Sequence, residues 1–190
     1  MRQIGGGQRA LTFGVARIKE LLDGAGIQWA VAAGAAVYLY VGNRPPTDLD
    51  LLVMPKDLPD VGRLLGAAPK RGQSHWGEVS KVEVDPVEVV GSLIVRMDGR
   101  SYRYELDGEM IDRLRFTPFE GVEVPVLAPE DVIALKAVLQ RGPEQGKHDL
   151  EDIAALAAGT HIDREYLLHR LRLMGAEERA RPALERFGWA

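Results

Sequence analysis

The feature that most constrains this chain is a pair of aspartates, Asp48 and Asp50, at the start of a strand-like run. They flank one leucine and are followed directly by Leu51, Leu52 and Val53. Aspartate is depleted in strands and is rarely buried without a partner. Because residues i and i+2 of a strand point to the same face, the two carboxylates project together. Adjacent carboxylates repel each other, and a divalent cation between them relieves that repulsion.

The type of ion follows from the ligands that the chain can offer. None of the 190 residues is cysteine, which excludes disulfides, thiolate metal sites and a cysteine nucleophile. Carboxylate oxygens without cysteine or clustered histidine suit magnesium or manganese rather than zinc. We therefore expect Mg²⁺ or Mn²⁺ at Asp48 and Asp50. An acid pair at a strand edge that only caps a loop is the alternative.

A second feature lies just before the aspartates. The segment IQWAVAAG predicts a short buried strand, and a helix is expected to begin at Gly34. The free N–H groups and the dipole of such a helix start favour a phosphate group. The intervening segment NRPPT is typical of a loop, because Pro45 and Pro46 block helix continuation. Carboxylates that bind metal beside a phosphate site indicate nucleotidyl or phosphoryl transfer, whereas a simple turn is the alternative for Gly34.

The rest of the pattern predicts an α/β (α+β) protein with a mixed β-sheet core and a C-terminal helical subdomain. We place the core at residues 8–128 and the helical subdomain at residues 129–190. Apolar residues make up 46% of the chain, enough for a real core, and the net charge of −4 is not that of a chain that coats nucleic acid. The expected strands are IQWAVAAG, DLDLLV, EVSKVEV, VEVVGSL, SYRYEL and GVEVPVL.

The location of the protein is predicted from what its sequence lacks. No apolar stretch approaches the ~20 residues of a membrane span. The N-terminal MRQIGGGQRA has no apolar signal core. A cytoplasmic protein without a membrane partner is expected.

The glycine and the acidic pair, in this order, resemble the nucleotidyltransferase fold of the DNA polymerase β superfamily. Its signature is a glycine followed by Gly or Ser, then a gap, then Asp-x-Asp. Gly34 matches the second position, thirteen residues separate it from Asp48, and Ala33 stands at the first position. NRPPTDLDLLV is similar to a run in small prokaryotic members, including those of abortive-infection and toxin–antitoxin systems. LAPEDVIALKAVLQR and KHDLEDIAAL are similar to the segment that follows the sheet in those proteins.

The resemblance implies an enzyme that uses magnesium to move NMP from an NTP to a hydroxyl acceptor. It also implies a third carboxylate on a neighbouring strand, which completes the metal site and can serve as the base. Glu88 is the preferred candidate, because PVEVV resembles the short strand that carries this acid in relatives. Glu83 and Asp85 stay open as alternatives.

Five residues are candidates for contact with the nucleotide: Ala33, Gly34, Arg44, Thr47 and Lys136. A local hydrogen bond is the alternative for Thr47, and a solvated position or an acidic partner is the alternative for Lys136. The acceptor can be RNA, a protein or a small molecule, and a protein partner or a second copy of the chain also stays open. A catalytically weak or silent module that binds a nucleotide or a partner, as antitoxin-like members do, is the alternative function.

Overall fold

A mixed sheet of eight strands carries the fold in the computed structural model, which describes residues 14–74 and 76–189. The strands are β1 (Trp29–Val31), β2 (Leu49–Val53), β3 (Lys70–Ser74), β4 (Gly77–Val84), β5 (Val87–Met97), β6 (Arg100–Tyr104), β7 (Arg115–Phe119) and β8 (Val122–Val126). The helices are α1 (Val15–Gly24), α2 (Ala33–Val41), α3 (Leu58–Leu65), α4 (Gly108–Asp112), α5 (Pro129–Leu139), α6 (Asp149–Gly159), α7 (Arg164–Met174) and α8 (Glu177–Glu185). The predicted α/β class and the mixed sheet are confirmed.

The order of the strands places the acidic residues at the centre of the sheet. It runs β3-β4-β5-β2-β1-β8-β7, and β6 pairs with the second half of β5. β2 is parallel to β5 and antiparallel to β1. The register sets Asp50 opposite Glu88. The backbone N–H of Ala32 donates to the carbonyl oxygen of Asp50 at 2.9 Å, so the start of α2 is held beside the acidic strand.

Helix α5 joins the sheet to the C-terminal helices. Ten of its eleven residues are buried, and it packs against α2, α6, α7 and α8. Its apolar side chains belong to the same hydrophobic core as those of β1, β2 and β5. The proposed boundary at residue 128 therefore falls at the turn from β8 into α5, and one core extends on both sides of it. The proposed start of the first domain, at residue 8, lies outside the described residues.

A buried polar cluster fixes the position of α5. The Arg170 guanidinium lies 2.9 Å from the Asp131 carboxylate, and the Tyr166 hydroxyl donates to the same carboxylate. The Tyr104 hydroxyl donates to the Asp131 carbonyl oxygen at 3.1 Å. Because a buried charge is costly unless it is paired, this cluster defines one packing of α5 and α7 against β6.

The helices in the described part of the chain are short. None of them has both the length and the apolar character that crossing a bilayer requires.

Candidate active site

One cleft between the sheet and helices α5 and α6 brings together every residue predicted for the site. Its volume is about 570 Å³, which lies within the range of small-ligand sites. The predicted residues on its wall are Ala33, Gly34, Arg44, Thr47, Asp48, Asp50, Glu88 and Lys136. The fold therefore converts a dispersed set of residues into one surface. Their contacts with a nucleotide and an ion stay predictions.

The start of α2 forms one end of the cleft. Ala33 adopts a left-handed backbone conformation with φ at +48°, which normally favours glycine. Alanine at the first signature position therefore does not prevent the turn. No side chain caps the helix start, so its first N–H groups are available to a ligand. A Cβ atom added at Gly34 would meet nothing within 4 Å, because the cleft is open there.

We expect Ala33→Gly to raise the free energy of unfolding by up to about 1 kcal/mol. The left-handed conformation costs alanine about 1–2 kcal/mol, and glycine removes that strain at a smaller cost in chain entropy. Chemical denaturation measures the change. Ala35→Gly, at a buried position further along the same helix, is the matched control and should destabilise the protein. Equal losses in the two variants would contradict the strain argument.

The negative charge of the pair Asp48 and Asp50 is only partly offset by nearby cationic side chains. Asp48 is exposed, Asp50 is half-buried, and both line the cleft. Burial, then the charges of Asp48 and Glu88, raise the pKa of Asp50 to about 7. The charges of Lys147 and Lys136 offset only part of this rise. An unrelieved concentration of negative charge on hard oxygen donors is the environment that suits a divalent cation.

Glu88 has a cationic neighbour that the sequence analysis did not identify. The Lys81 ammonium group lies 2.5 Å from the Glu88 carboxylate and 3.5 Å from that of Glu83. Glu83 is opposite Glu88 in the β4–β5 register, but the wall of the cleft includes Glu88 and not Glu83 or Asp85. The geometry therefore favours Glu88 among the three candidates.

In the described ranges, no three acidic or histidine side chains converge closely enough to enclose a metal ion. Mg²⁺ is commonly held by one or two carboxylates together with water and substrate phosphates. The pair Asp48 and Asp50 therefore fits such an ion in charge and donor type, with the other ligands supplied by a nucleotide.

Lys136 lies in a buried network of ion pairs. It is 6% exposed, and its ammonium group donates to Asp152 at 2.7 Å and to Asp149 at 3.2 Å. The Arg44 guanidinium donates to Asp152 at 3.1 Å, and that of Arg141 to Asp149 at 2.9 Å. The solvated alternative for Lys136 is therefore wrong. The network ties the loop before β2 to α5 and α6.

Thr47 makes a local contact. Its hydroxyl donates to the Asp48 carboxylate at 3.2 Å, as the structural alternative for this residue predicted. The bond lies at the exposed mouth of the cleft and orients the first aspartate of the pair.

Several residues on the wall were missed by sequence reasoning: Trp76, Lys81, Tyr104, Arg141 and Lys147. Of these residues, only Lys81 could have been found from the sequence, because strand alternation in EVSKVEV places it on the same face as Glu83. The others come from loops or strand ends, and their approach to the cleft depends on how the helices pack.

Family membership is decided by the whole sequence. Residues 1–187 match the model of a family described as uncharacterised nucleotidyltransferases. The chain belongs to this family. No curated protein matches the sequence of this family member.

Several solved structures share the fold of this chain. A Thermotoga maritima protein assigned as a nucleotidyltransferase has a TM-score of 0.53 and 17% identity, covering 69% of this chain and 85% of its own. The antibiotic-resistance factor ANT(2'')-Ia has a TM-score of 0.53 and 14% identity, covering 91% and 93%. Its structure with adenylyl-2''-tobramycin gives a TM-score of 0.50 and 12% identity, covering 92% and 97%. At these identities the likeness is one of fold.

Proposed function

We propose that this protein is a magnesium-dependent nucleotidyltransferase that moves NMP from an NTP to a hydroxyl acceptor. The observation that carries the proposal is a backbone hydrogen bond. The N–H of Ala32 donates to the carbonyl oxygen of Asp50 at 2.9 Å, and this holds an uncapped helix start beside the acidic pair. The helix start that we assign to phosphate and the carboxylate pair are thus neighbours on one cleft wall. The adenylylated tobramycin of a protein with the same fold supports a hydroxyl acceptor.

The start of α2 would bind the phosphates of the NTP. The N–H groups of Ala33 and Gly34 are free of helical partners, and the helix dipole adds positive potential there. Arg44 is exposed on the same cleft, and its guanidinium donates to Asp152 at 3.1 Å. We assign phosphate binding to the helix start and neutralisation of the phosphate charge to Arg44. Lys136 would act indirectly, by holding Asp152 in place through their ion pair.

Asp48 and Asp50 would hold the Mg²⁺ or Mn²⁺ ion. When bound, the ion neutralises the triphosphate and orients it for in-line attack. Asp50 tends to keep a proton near pH 7 without such a cation, so ion binding and loss of that proton are coupled. The affinity for Mg²⁺ or Mn²⁺ therefore falls as the pH is lowered, because the ion competes with the proton of Asp50.

Glu88 would take the proton from the acceptor hydroxyl. The acceptor oxygen then bonds to the α-phosphorus, the bond from that phosphorus to the bridging oxygen breaks, and pyrophosphate leaves. Lys81, which contacts the Glu88 carboxylate at 2.5 Å, would hold that group in place. Glu88 lies opposite Asp50 in the register, so the base and the acidic pair face the same reaction centre.

Label transfer tests the proposal. Purified protein is incubated with each α-³²P-labelled NTP, Mg²⁺ and a cell extract as a source of acceptors, and pyrophosphate release is followed in parallel. We expect transfer with one or more NTPs, loss of transfer in EDTA, and loss in Asp48→Asn. Equal transfer by the wild type and Asp48→Asn would refute the assignment of the acidic pair.

A second test addresses the phosphate site. We expect Gly34→Val to abolish NTP binding in calorimetry, because the added side chain fills the open space at the helix start. Thermal stability should fall by only a few degrees, since a Cβ atom there meets no protein atom within 4 Å. Gly24→Val is a control, as its Cβ atom also meets nothing within 4 Å and it does not line the cleft. Unchanged NTP affinity in Gly34→Val would contradict the phosphate assignment.

A binding module is the second candidate function. The ion pair between Glu88 and Lys81 favours it, because an engaged carboxylate is less available as a base or ligand. Such a module would bind an NTP or a protein partner, including a second copy, without turnover, as in antitoxin-like members of the superfamily. NTP binding by the wild type without label transfer to any acceptor would select it.

A further inference from the structure

Beyond Glu88 the cleft changes from acidic to apolar. The β4–β5 register pairs Ser80 with Ser92 but Lys81 with Val90, so Gly91 is a bulge. A bulge shifts the alternation of a strand by one residue. As a result Val90 and Leu93 both follow Glu88 along the cleft wall. Without the bulge, the side chain of Leu93 would lie on the other face of the sheet.

Neighbouring elements extend this wall into a surface that we call the apolar end. It consists of Val79, Val90, Leu93, Tyr104, Leu135 and Leu139. Val79 and Tyr104 are the register partners of Leu93 on the two sides of β5. The two leucines face it from α5, and the ring of Trp76, whose centroid is 5.8 Å from the Arg141 guanidinium carbon, lies at its margin.

The charges on the cleft wall select against a cationic ligand. Among the described residues that line the cleft, four are acidic: Asp48, Asp50, Glu88 and Asp152. The last two are paired with Lys81, Lys136 and Arg44. The first two lie at the site assigned above to the metal. No carboxylate is therefore left at the apolar end to pair with an ammonium group, and removing such a group from water without a partner is costly.

The sheet order decides which ligand reaches the apolar end. The proposed phosphate site follows β1, and Asp50 lies on β2 with Asp48 directly before it. Glu88 lies on β5, and the strands of the apolar end are β5, β4 and β6. β1 and β4 are on opposite sides of the acidic strand. A hydroxyl deprotonated by Glu88 therefore approaches from the side of the apolar end, and the triphosphate lies on the other side.

We propose that the apolar end binds the acceptor, and that the acceptor is a hydroxyl-bearing small molecule with an apolar, ring-containing body and no positive charge. The assignment of this end to the acceptor rests on the proposed function. A rigid aliphatic and aromatic wall binds a planar or fused ring by burying apolar surface. A polycationic aminoglycoside would find no anionic partner there.

Titrations with two probes, followed by fluorescence and calorimetry, test this proposal. The probes are 1-anilinonaphthalene-8-sulfonate, a planar apolar anion, and tobramycin, a polycation. We expect the wild type to bind the first saturably with enhanced fluorescence, also in the presence of saturating α,β-methylene-ATP and Mg²⁺, and to show no binding of tobramycin. Displacement of the naphthalene probe by the ATP analogue would show that the nucleobase occupies the apolar end and would overturn the acceptor assignment.

Two variants localise the probe. Val79→Glu and Leu135→Glu place a carboxylate on opposite sides of the apolar end, both at half-buried positions, and each should weaken probe binding at least about tenfold. Val84 lies on β4, as Val79 does, but not on the cleft wall. Val84→Glu should therefore leave the affinity for the probe unchanged. Tobramycin binding as tight as that of the probe, or equal probe affinity in all three variants, would overturn the proposal.

The same titrations separate this inference from the proposed function. If the wild type binds the ATP analogue and the naphthalene probe fails to bind, the acceptor class is wrong and nucleotidyl transfer stands. If the probe binds as expected and no nucleotide does, the transferase assignment fails, and with it the identification of the probe site as an acceptor site.

Discussion

Asp50→Asn is expected to unfold at a higher temperature than the wild type while losing nucleotidyl transfer. Burial and the charges of Asp48 and Glu88 raise the pKa of Asp50 to about 7, so the ionised carboxylate destabilises the metal-free protein near pH 8. Asparagine removes that charge and keeps the shape. We expect a gain of about 1–3 kcal/mol in EDTA, which corresponds to about 2–4 °C per kcal/mol for a chain of this size.

The gain should depend on pH. A carboxyl group whose pKa is higher in the folded than in the unfolded state keeps its proton on folding, so the wild type loses stability as the pH rises from about 4 to about 7. Thermal melts of the wild type and Asp50→Asn in EDTA should therefore coincide near pH 4 and diverge towards pH 8. Asp112→Asn, at an exposed position in α4, is the matched control. A difference that stays constant across this range would contradict the electrostatic explanation.

Transfer activity should fall in Asp50→Asn by several orders of magnitude, because one of the two carboxylates assigned to the ion is lost. Calorimetry should show weaker Mg²⁺ binding, both alone and with an NTP. A variant that is more stable and less active fits a site whose charge repulsion is retained for function. A variant that binds Mg²⁺ as tightly as the wild type would remove Asp50 from the metal site.

Glu88→Gln is expected to lower kcat by a factor of about 10²–10⁴, with little change in NTP affinity. Glutamine keeps the size of the side chain and much of its hydrogen bonding but cannot accept the proton of the acceptor hydroxyl. Single-turnover label transfer measures the chemical step separately from binding.

Glu83→Gln is the matched control for this variant. Glu83 also contacts Lys81, at 3.5 Å, but it is exposed and does not line the cleft. Its substitution should leave kcat within about twofold of the wild type. If activity survives Glu88→Gln and is lost in Glu83→Gln or Asp85→Asn, the third carboxylate has been assigned to the wrong residue while the family and the fold stand.

The edges of the sheet show where the sequence pattern is weak. β3 and β7 are the two ends of the strand order, and neither is predicted from the sequence. β3 has the sequence KRGQS and β7 contains Pro118. An edge strand pairs on one side only, so it needs no apolar face and tolerates proline. β1 and β2, in the middle of the sheet, are almost wholly buried, and their apolar runs made them predictable.

Lys136 shows a different limit. It follows a run of apolar residues in α5, and the sequence does not indicate whether its ammonium group is solvated or paired. The answer depends on Asp149 and Asp152, which reach it at 3.2 and 2.7 Å from α6. Helical spacing does not relate residues of two separate helices, so this pairing requires the tertiary packing of α5 on α6.

The α/β class, the central strands and the aspartate pair were predictable from the sequence, and so was the start of α2, expected at Gly34 and observed at Ala33. Each of these depends on local spacing, since strand alternation sets the two aspartates on one face and a single glycine after an apolar run marks the helix start. Three relations depend on the tertiary structure: Glu88 lies opposite Asp50, Lys81 contacts Glu88, and an apolar surface continues beyond them. These relations arise from strand register and helix packing, which bring together residues that no local periodicity connects.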